Sequence, residues 1–321
     1  MKKALVTGAT GHLGFNLCLE LKKKYNVFAF CRKNSNIKRL QKNNIKIIYG
    51  DVTKFEDFYS ASIGKNYIIH AAAIYSHDEK LRHITLDTAI KSAENFCKLF
   101  LKLKIDKGIY ISSVSVLGLN YNENIKKNLK IINSSNDPYV NSKLTSYKIV
   151  KDEIKKYKFP ISLVLPSSMI GLNDFRITPS TSNIKNMINT PIGIYVNGGI
   201  NLVNVTDVCK SIALILKKKN NKTYILSGHN IKIKDLVKKV RQISNRIDFS
   251  LMLSKNFFIF LYNLFKYTGL NFLVPFPLNI NQIKNIGKFS YFDSVDVKRE
   301  KLFKNTPLEK TLRQCIRNLD Y

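Results

Sequence analysis

The chain has 321 residues, 53 Lys and Arg against 22 Asp and Glu, a net charge of +31, 45 % hydrophobic residues and five cysteines. This length supports two domains, or one large α/β domain with an appendage, and a sizeable core. It excludes a disulfide miniprotein, a collagen and a disordered tail. Cys18, Cys31, Cys97, Cys209 and Cys315 are widely spaced and form no C-x-x-C pair, so no disulfide framework, no thiolate zinc site and a reducing, cytoplasmic compartment are expected. Lysine is spread over almost every segment, and Asn and Ile are also abundant. The charge therefore reads as a solvated surface that helps attract anionic cofactors, with no specific nucleic-acid partner.

The first apolar run, Lys3 to Thr7, reads as a strand that ends at glycines, and Phe15 to Lys24 carries apolar residues at helical spacing. Polar and glycine residues interrupt the run before it reaches the length of a secretion signal. Val27–Cys31, Ile45–Tyr49, Tyr67–His70 and Gly108–Ser112 read as further strands, with a helix at Asp87–Leu103. Strands alternating with helices imply right-handed crossovers and a parallel sheet. Tyr139–Tyr157 reads as a long helix stopped by Pro160, followed by a strand at Ile161–Leu165. After Pro166 the pattern is irregular, with a strand at Asn201–Val205 and a helix at Asp207–Lys217. The most apolar stretch, Asn256 to Phe265, is shorter than the ~20 residues that cross a bilayer, so no span is expected. Asn256–Tyr267 reads as core or lid packing, with a membrane-surface or lipid-substrate helix as the alternative.

Gly8-Ala9-Thr10-Gly11-His12-Leu13-Gly14 links the first strand to the first helix. Glycines there permit a tight turn and close approach of backbone to a pyrophosphate, and the helix N-terminus offers free N–H groups to the anion. Dinucleotide binding is the expectation. About 20 residues on, where an NAD site carries an acidic residue for the ribose 2′-OH, the sequence reads Phe30-Cys31-Arg32-Lys33. Two cations in that place favour a 2′-phosphate, hence NADP(H), with NAD(H) as the alternative.

Tyr139 and Lys143 stand one helical turn apart. A phenol with a pKa of about 10 is a weak acid or base at neutral pH, and a nearby cation favours its phenolate. The same spacing recurs at Tyr147/Lys151 and Tyr262/Lys266, so context must choose. The strand Ile109-Tyr110-Ile111 leads into Ser112-Ser113, and carboxyl ends of parallel strands face the ligand crevice. A serine there can polarise a substrate carbonyl. No metal-ligand spacing occurs among the five histidines.

These features resemble the extended short-chain dehydrogenase/reductase family, in the NAD-dependent epimerase/dehydratase superfamily. The likeness runs through Thr7–Gly14, Gly50-Asp51-Val52, His70–Ala73, Tyr110–Gly118 and Tyr139–Lys143. It implies a Rossmann-type doubly wound parallel sheet in residues 1–165. A smaller, mixed α/β substrate-binding region occupies 166–321, with 200–217 returning to the first domain. It also implies Tyr139 as acid/base, Lys143 as its pKa-lowering and ribose-binding partner, and Ser113 as the substrate-orienting hydroxyl. The cofactor would meet Gly8, Thr10, Gly11, His12, Leu13 and Gly14 at the phosphates and Arg32, Asp51 and Val52 at the adenosine end. Ala71, Ala72, Tyr139, Lys143 and Pro166 would line the rest. His70 is given no acid/base role. Ala89 replaces an asparagine usual at the start of the family's fourth-helix motif, whose last residue is Asn95.

Pro166–Gly171 with Asp174, Gly198–Val208, and the closing Phe292-Asp293-Ser294 and Pro307-Leu308-Glu309 are similar to the dihydroflavonol-reductase-like branch. Nucleotide-sugar epimerases commonly carry arginines where this chain has Val164-Leu165-Pro166 and Ile200-Asn201-Leu202. The resemblance therefore implies hydride transfer between nicotinamide and a small carbonyl or alcohol. A sugar epimerase or dehydratase is the alternative, and a noncatalytic nucleotide-binding regulator a third reading. Leu119–Asn136 is expected to overhang the substrate, and the helices at 87–103 and 139–157 correspond to the pair through which relatives often dimerise.

Overall fold

The computed structural model describes residues 1–120, 122–125, 130–268, 283 and 285–319; the side chains of residues 261, 262, 265, 266 and 268 also lie outside the description. The segment Leu119–Asn136 is therefore described only in part. The strands are β1 (Lys3–Thr7), β2 (Asn26–Cys31), β3 (Lys46–Tyr49), β4 (Tyr67–His70), β5 (Lys107–Ile111), β6 (Ile161–Pro166), β7 (Ser168–Ile170), β8 (Gly193–Tyr195), β9 (Gly199–Asn204), β10 (Thr223–Leu226), β11 (His229–Lys232), β12 (Ser250–Met252) and β13 (Phe289–Ser290). The main helices are α1 (His12–Leu21), α2 (Lys38–Lys42), α3 (Phe55–Ser62), α4 (Arg82–Lys102), α5 (Pro138–Tyr157), α6 (Pro179–Asn189), α7 (Val205–Ile215), α8 (Ile233–Ile243) and α9 (Lys255–Thr268).

Seven strands pair in the order β3-β2-β1-β4-β5-β6-β10, all parallel. This is the expected doubly wound, Rossmann-type sheet. Its strands are nearly continuous apolar runs because both faces are covered. Alternate residues feed opposite layers. Ala4, Val6, Ile69, Ile109 and Val164 pack against Leu17 and Leu21 of α1 and Val208 and Ile212 of α7. Leu5, Ile68, Tyr110 and Leu163 pack against Phe96 of α4 and Leu144, Tyr147 and Val150 of α5. The chain reverses its direction of growth between β1 and β4, so a crevice opens at the carboxyl ends of those neighbouring strands.

Two helices start earlier than their apolar pattern. α1 begins at His12, directly after Gly11, and α4 begins at Arg82 behind a short turn at Glu79–Leu81 in which the Lys80 N–H donates to the Asp78 carboxylate. Neither α1 nor α4 has a side-chain cap, so their starts follow the preceding turns and not the apolar spacing.

The second sheet is built on β9, with β11 antiparallel and β7 and β13 parallel to it. Asn204 ends β9 and caps α7 through Thr206 N–H, while its amide donates to Thr311 and Gln314 of the helix Leu308–Arg317. The buried Asp207 carboxylate accepts the Thr306 N–H and hydroxyl at 2.6 and 2.8 Å. These bonds tie the C-terminal segment to α7, which packs on α1.

Arg241 of α8 is buried and donates to the carbonyls of Ile247, Met187, Thr190 and Pro191 at 2.7 to 3.2 Å. It carries the hydrogen bonding of two irregular segments at once. Replacing it with methionine keeps the apolar stem but strands four carbonyls. Arg241→Met is expected to lower unfolding free energy by about 3 kcal/mol. A urea melt with an unchanged midpoint would contradict this clamp.

Candidate functional site

The loop from β1 to α1 turns at Gly8, whose φ of +66° lies in the region glycine favours. A Cβ there would stand 2.7 Å from the Ala72 nitrogen, and one on Gly14 would overlap the Gly8 carbonyl. Gly11 N–H closes the turn on the Gly8 carbonyl at 3.0 Å. No side chain caps α1, so its first amides, from His12, Leu13 and Gly14, have no intrahelical partner and are available to an anion. The cradle would be filled by side chains heavier than glycine, which fits a pyrophosphate at this loop.

Thr7 holds the other side of the crevice. Its Oγ1 accepts the N–H groups of Ala71 and Ala72, both at 3.1 Å, and lies 3.0 Å from His70 Nδ1. With both lone pairs used, its proton goes to His70 Nδ1, which leaves the histidine proton on Nε2. The buried His70 ring stands among Phe58, Phe96 and Tyr110. Burial and then the Lys143 charge push its pKa down to about 3, so it stays neutral.

At the adenosine end, Arg32 and Lys33 are exposed directly after β2. Asp51 follows β3: its Oδ1 accepts Thr53 N–H and Oγ1–H at 2.8 Å, and its N–H donates to Asp57 at 3.0 Å. Asn95 of α4 is buried and donates to the Val52 carbonyl at 3.0 Å. Sequence reading named Asn95 only as the end of a motif, yet it fixes the backbone beside Asp51.

The segment after β7 covers the glycine loop. The buried His12 ring meets the Leu172 carbonyl at 3.0 Å and stands 3.7 Å from the Asp174 carboxylate. Burial lowers its pKa against the opposing pull of Asp174. Arg176 reaches the Thr10 hydroxyl at 3.2 Å, and Phe175 lies between the Phe15 ring and the Arg39 guanidinium. Thr10 and His12 are thus contacted from the second half of the chain, a pairing across some 160 residues that local patterns do not carry. Pro166 ends β6 beside Leu226.

Ser113 caps the turn Val114–Leu117 through Ser115 N–H at 3.1 Å. Asp137 caps α5, with Pro138 in its first turn, so the half-buried Tyr139 stands at the helix mouth. Burial pushes the Tyr139 phenol up to about 12, opposed by its interaction with Ser113 and reinforced by the Asp137 charge. Lys143, one turn on, is buried and donates to the Ile111 carbonyl at 3.2 Å. Burial brings its pKa down to about 8. The phenol is therefore raised here and not lowered, because desolvation outweighs any help from the cation. Of the two other Tyr-Lys pairs, Tyr147 is core packing and the Tyr262 side chain lies outside the described residues.

Three further groups surround Tyr139. Its ring lies 4.3 Å from that of Tyr75 and 5.3 Å from that of His77. His77 bridges Asp137, at 2.7 Å through Nδ1, and the Tyr75 hydroxyl, at 3.1 Å through Nε2. Burial would push the Asp137 carboxyl up, but His77 and the Val140 N–H outweigh it and hold it below the usual carboxylate range. The bridge latches the loop after β4 to the start of α5. Sequence reading missed Tyr75 and His77; their place just beyond a strand's carboxyl end was the available signal. Among the described residues no group of three or more His, Cys, Asp or Glu could hold a metal.

Comparisons with known proteins bear on the family and the fold. A Synechocystis protein provisionally named dihydroflavonol 4-reductase is 27 % identical over 254 residues, 74 % of this chain and 71 % of that one. Anthocyanidin reductase of Arabidopsis thaliana is 25 % identical over 73 % of this chain and 78 % of its own. The crystal structure of gox2253 superposes with a TM-score of 0.86 at 24 % identity, covering 100 % of this chain and 98 % of that one. The NAD dependent epimerase/dehydratase family matches residues 4–227, and the chain belongs to that family.

Proposed function

We propose that the chain is an NADP(H)-dependent oxidoreductase acting on a small carbonyl or alcohol. The observation that carries this reading is the neutral Tyr139 phenol facing Ser113, with Lys143 one turn behind it, at the mouth of the Thr7–Gly14 crevice. The bound dinucleotide would supply or accept hydride. Ser113 donates to the substrate oxygen and orients it, and Tyr139 Oη gives it a proton; in alcohol oxidation the same oxygen takes the proton back. A pKa raised to about 12 keeps the phenol protonated at neutral pH, which suits it to the reducing direction. Lys143, with Ile111, fixes the helix mouth and offers an ammonium to the ribose hydroxyls.

Glycine-loop amides with Gly8, Gly11 and Gly14 would hold the pyrophosphate, Arg32 and Lys33 the 2′-phosphate, and Asp51 and Val52 the adenosine. Leu165 and Leu202 are buried strand residues, so the segments where nucleotide-sugar epimerases place arginines present no cation. That favours a substrate without a diphosphate.

Tyr139→Phe is expected to lower carbonyl-dependent NADPH oxidation by about 100-fold or more while leaving nucleotide fluorescence titrations unchanged. Wild-type turnover in this variant would remove Tyr139 from the mechanism. Because burial lowers the Lys143 pKa to about 8, its cation is present below that pH and lost above it. The reduction rate should therefore fall as pH rises through about 8. A flat profile from neutral to strongly alkaline pH would exclude the need for a charged Lys143.

A further inference from the structure

We infer that the exposed apolar face of α9 is a docking surface for an anionic lipid bilayer. This inference is independent of the reaction at Tyr139. Phe257, Phe260, Leu264 and Tyr267 repeat at helical spacing along one face of α9. On a surface helix such a stripe turns to the core. Here it turns outward: Phe260 is 60 % and Tyr267 84 % exposed. The stretch that precedes it in the chain is exposed as well, with Ile247 75 %, Phe249 57 % and Met252 of β12 56 % exposed. Single exposed apolar residues need no explanation, but a stripe of aromatic and aliphatic side chains along one helix face marks an interaction surface.

Charge selects the occupant. Between residues 238 and 267 the sequence carries, besides the buried Arg241, five cations, Lys238, Lys239, Arg246, Lys255 and Lys266, against the single acid Asp248. Lys238, Lys239, Arg246 and Lys255 are exposed around the patch. An apolar face bordered by cations fits an interface of acyl chains beneath anionic headgroups. A second copy of the chain would bring another +31 to the same place, which long-range repulsion opposes. No helix among the described residues is long and apolar enough to cross a membrane, so the helix lies on the surface. From Phe257 to Ile283 the sequence has one charged residue, Lys266.

The chain contains no tryptophan, so Phe260→Trp introduces a single emission reporter. Phosphatidylcholine vesicles containing about 30 % phosphatidylserine should shift its emission to the blue and carry wild-type protein upward in a density gradient, whereas pure phosphatidylcholine should do neither. Phe257→Ser with Phe260→Ser should reduce flotation at least about tenfold with the melting temperature and NADPH titration unchanged. An unshifted reporter, equal flotation with neutral vesicles, or undiminished binding of the double variant would each overturn the proposal. So would a concentration-dependent dimer abolished by the same substitutions without vesicle binding.

Discussion

The valence of one hydroxyl organises the crevice. Thr7 ends β1 opposite His70 of β4 in the sheet register, at the two strands between which the chain reverses direction. By accepting the Ala71 and Ala72 amides, Thr7 holds the β4 exit flat against Gly8, so close that only a residue without Cβ fits. By donating to His70 it fixes a neutral imidazole in an aromatic stack under the loop. Valine at this position would have the same β-branched shape but no oxygen. Two buried amides and one imidazole nitrogen would then lose their partner at the edge of the dinucleotide site, and such losses are the costly kind.

The electrostatics of Tyr139 and Lys143, the proposed reacting groups, follow from burial more than from pairing. Tyr139 is raised and Lys143 lowered, each away from its charged form, as desolvation dictates. A phenol and an amine held this way are poised to receive polar ligands, since a bound ribose and substrate oxygen would restore the hydrogen bonds that burial removed. The Asp137 carboxylate works in the opposite sense: it spends its oxygens on the α5 cap and on His77. One acidic residue thus starts the helix bearing Tyr139 and anchors the loop bearing Tyr75 and His77, so the proposed acid/base group and its aromatic neighbours share a foundation.

Much of this was legible in the chain. Six strands of the main sheet stand out as apolar runs because they are covered on both faces, and the glycine loop follows β1 with no gap; the short edge strand β10 was not read from the sequence. The smaller sheets were harder: β7 and β13 of the second sheet and the separate pair β8 and β12 have two or three residues each, too few to display a period. His77 meets Asp137 across 60 residues and Arg176 meets Thr10 across 166. Both contacts depend on how segments distant in sequence fold together, which no window of neighbouring residues records. The raised Tyr139 pKa was illegible for a related reason: the Tyr139–Lys143 spacing declares the cation, while the desolvation that opposes it comes from distant packing. In α9 the stripe itself was visible, but its outward direction was not.

The account turns on a crevice built for an adenine dinucleotide and on two cations, Arg32 and Lys33, exposed at the end of β2 where a carboxylate would select a free ribose hydroxyl. The most direct measurement is a parallel titration of purified wild-type protein and Arg32→Ala with NADPH and NADH, followed by nucleotide fluorescence. The account predicts that wild-type protein binds NADPH at least about tenfold more tightly than NADH and that the substitution removes most of this difference without weakening NADH, as expected for a charge-assisted contact with the 2′-phosphate. Equal affinities, or tighter binding of NADH by the wild-type chain, would contradict it.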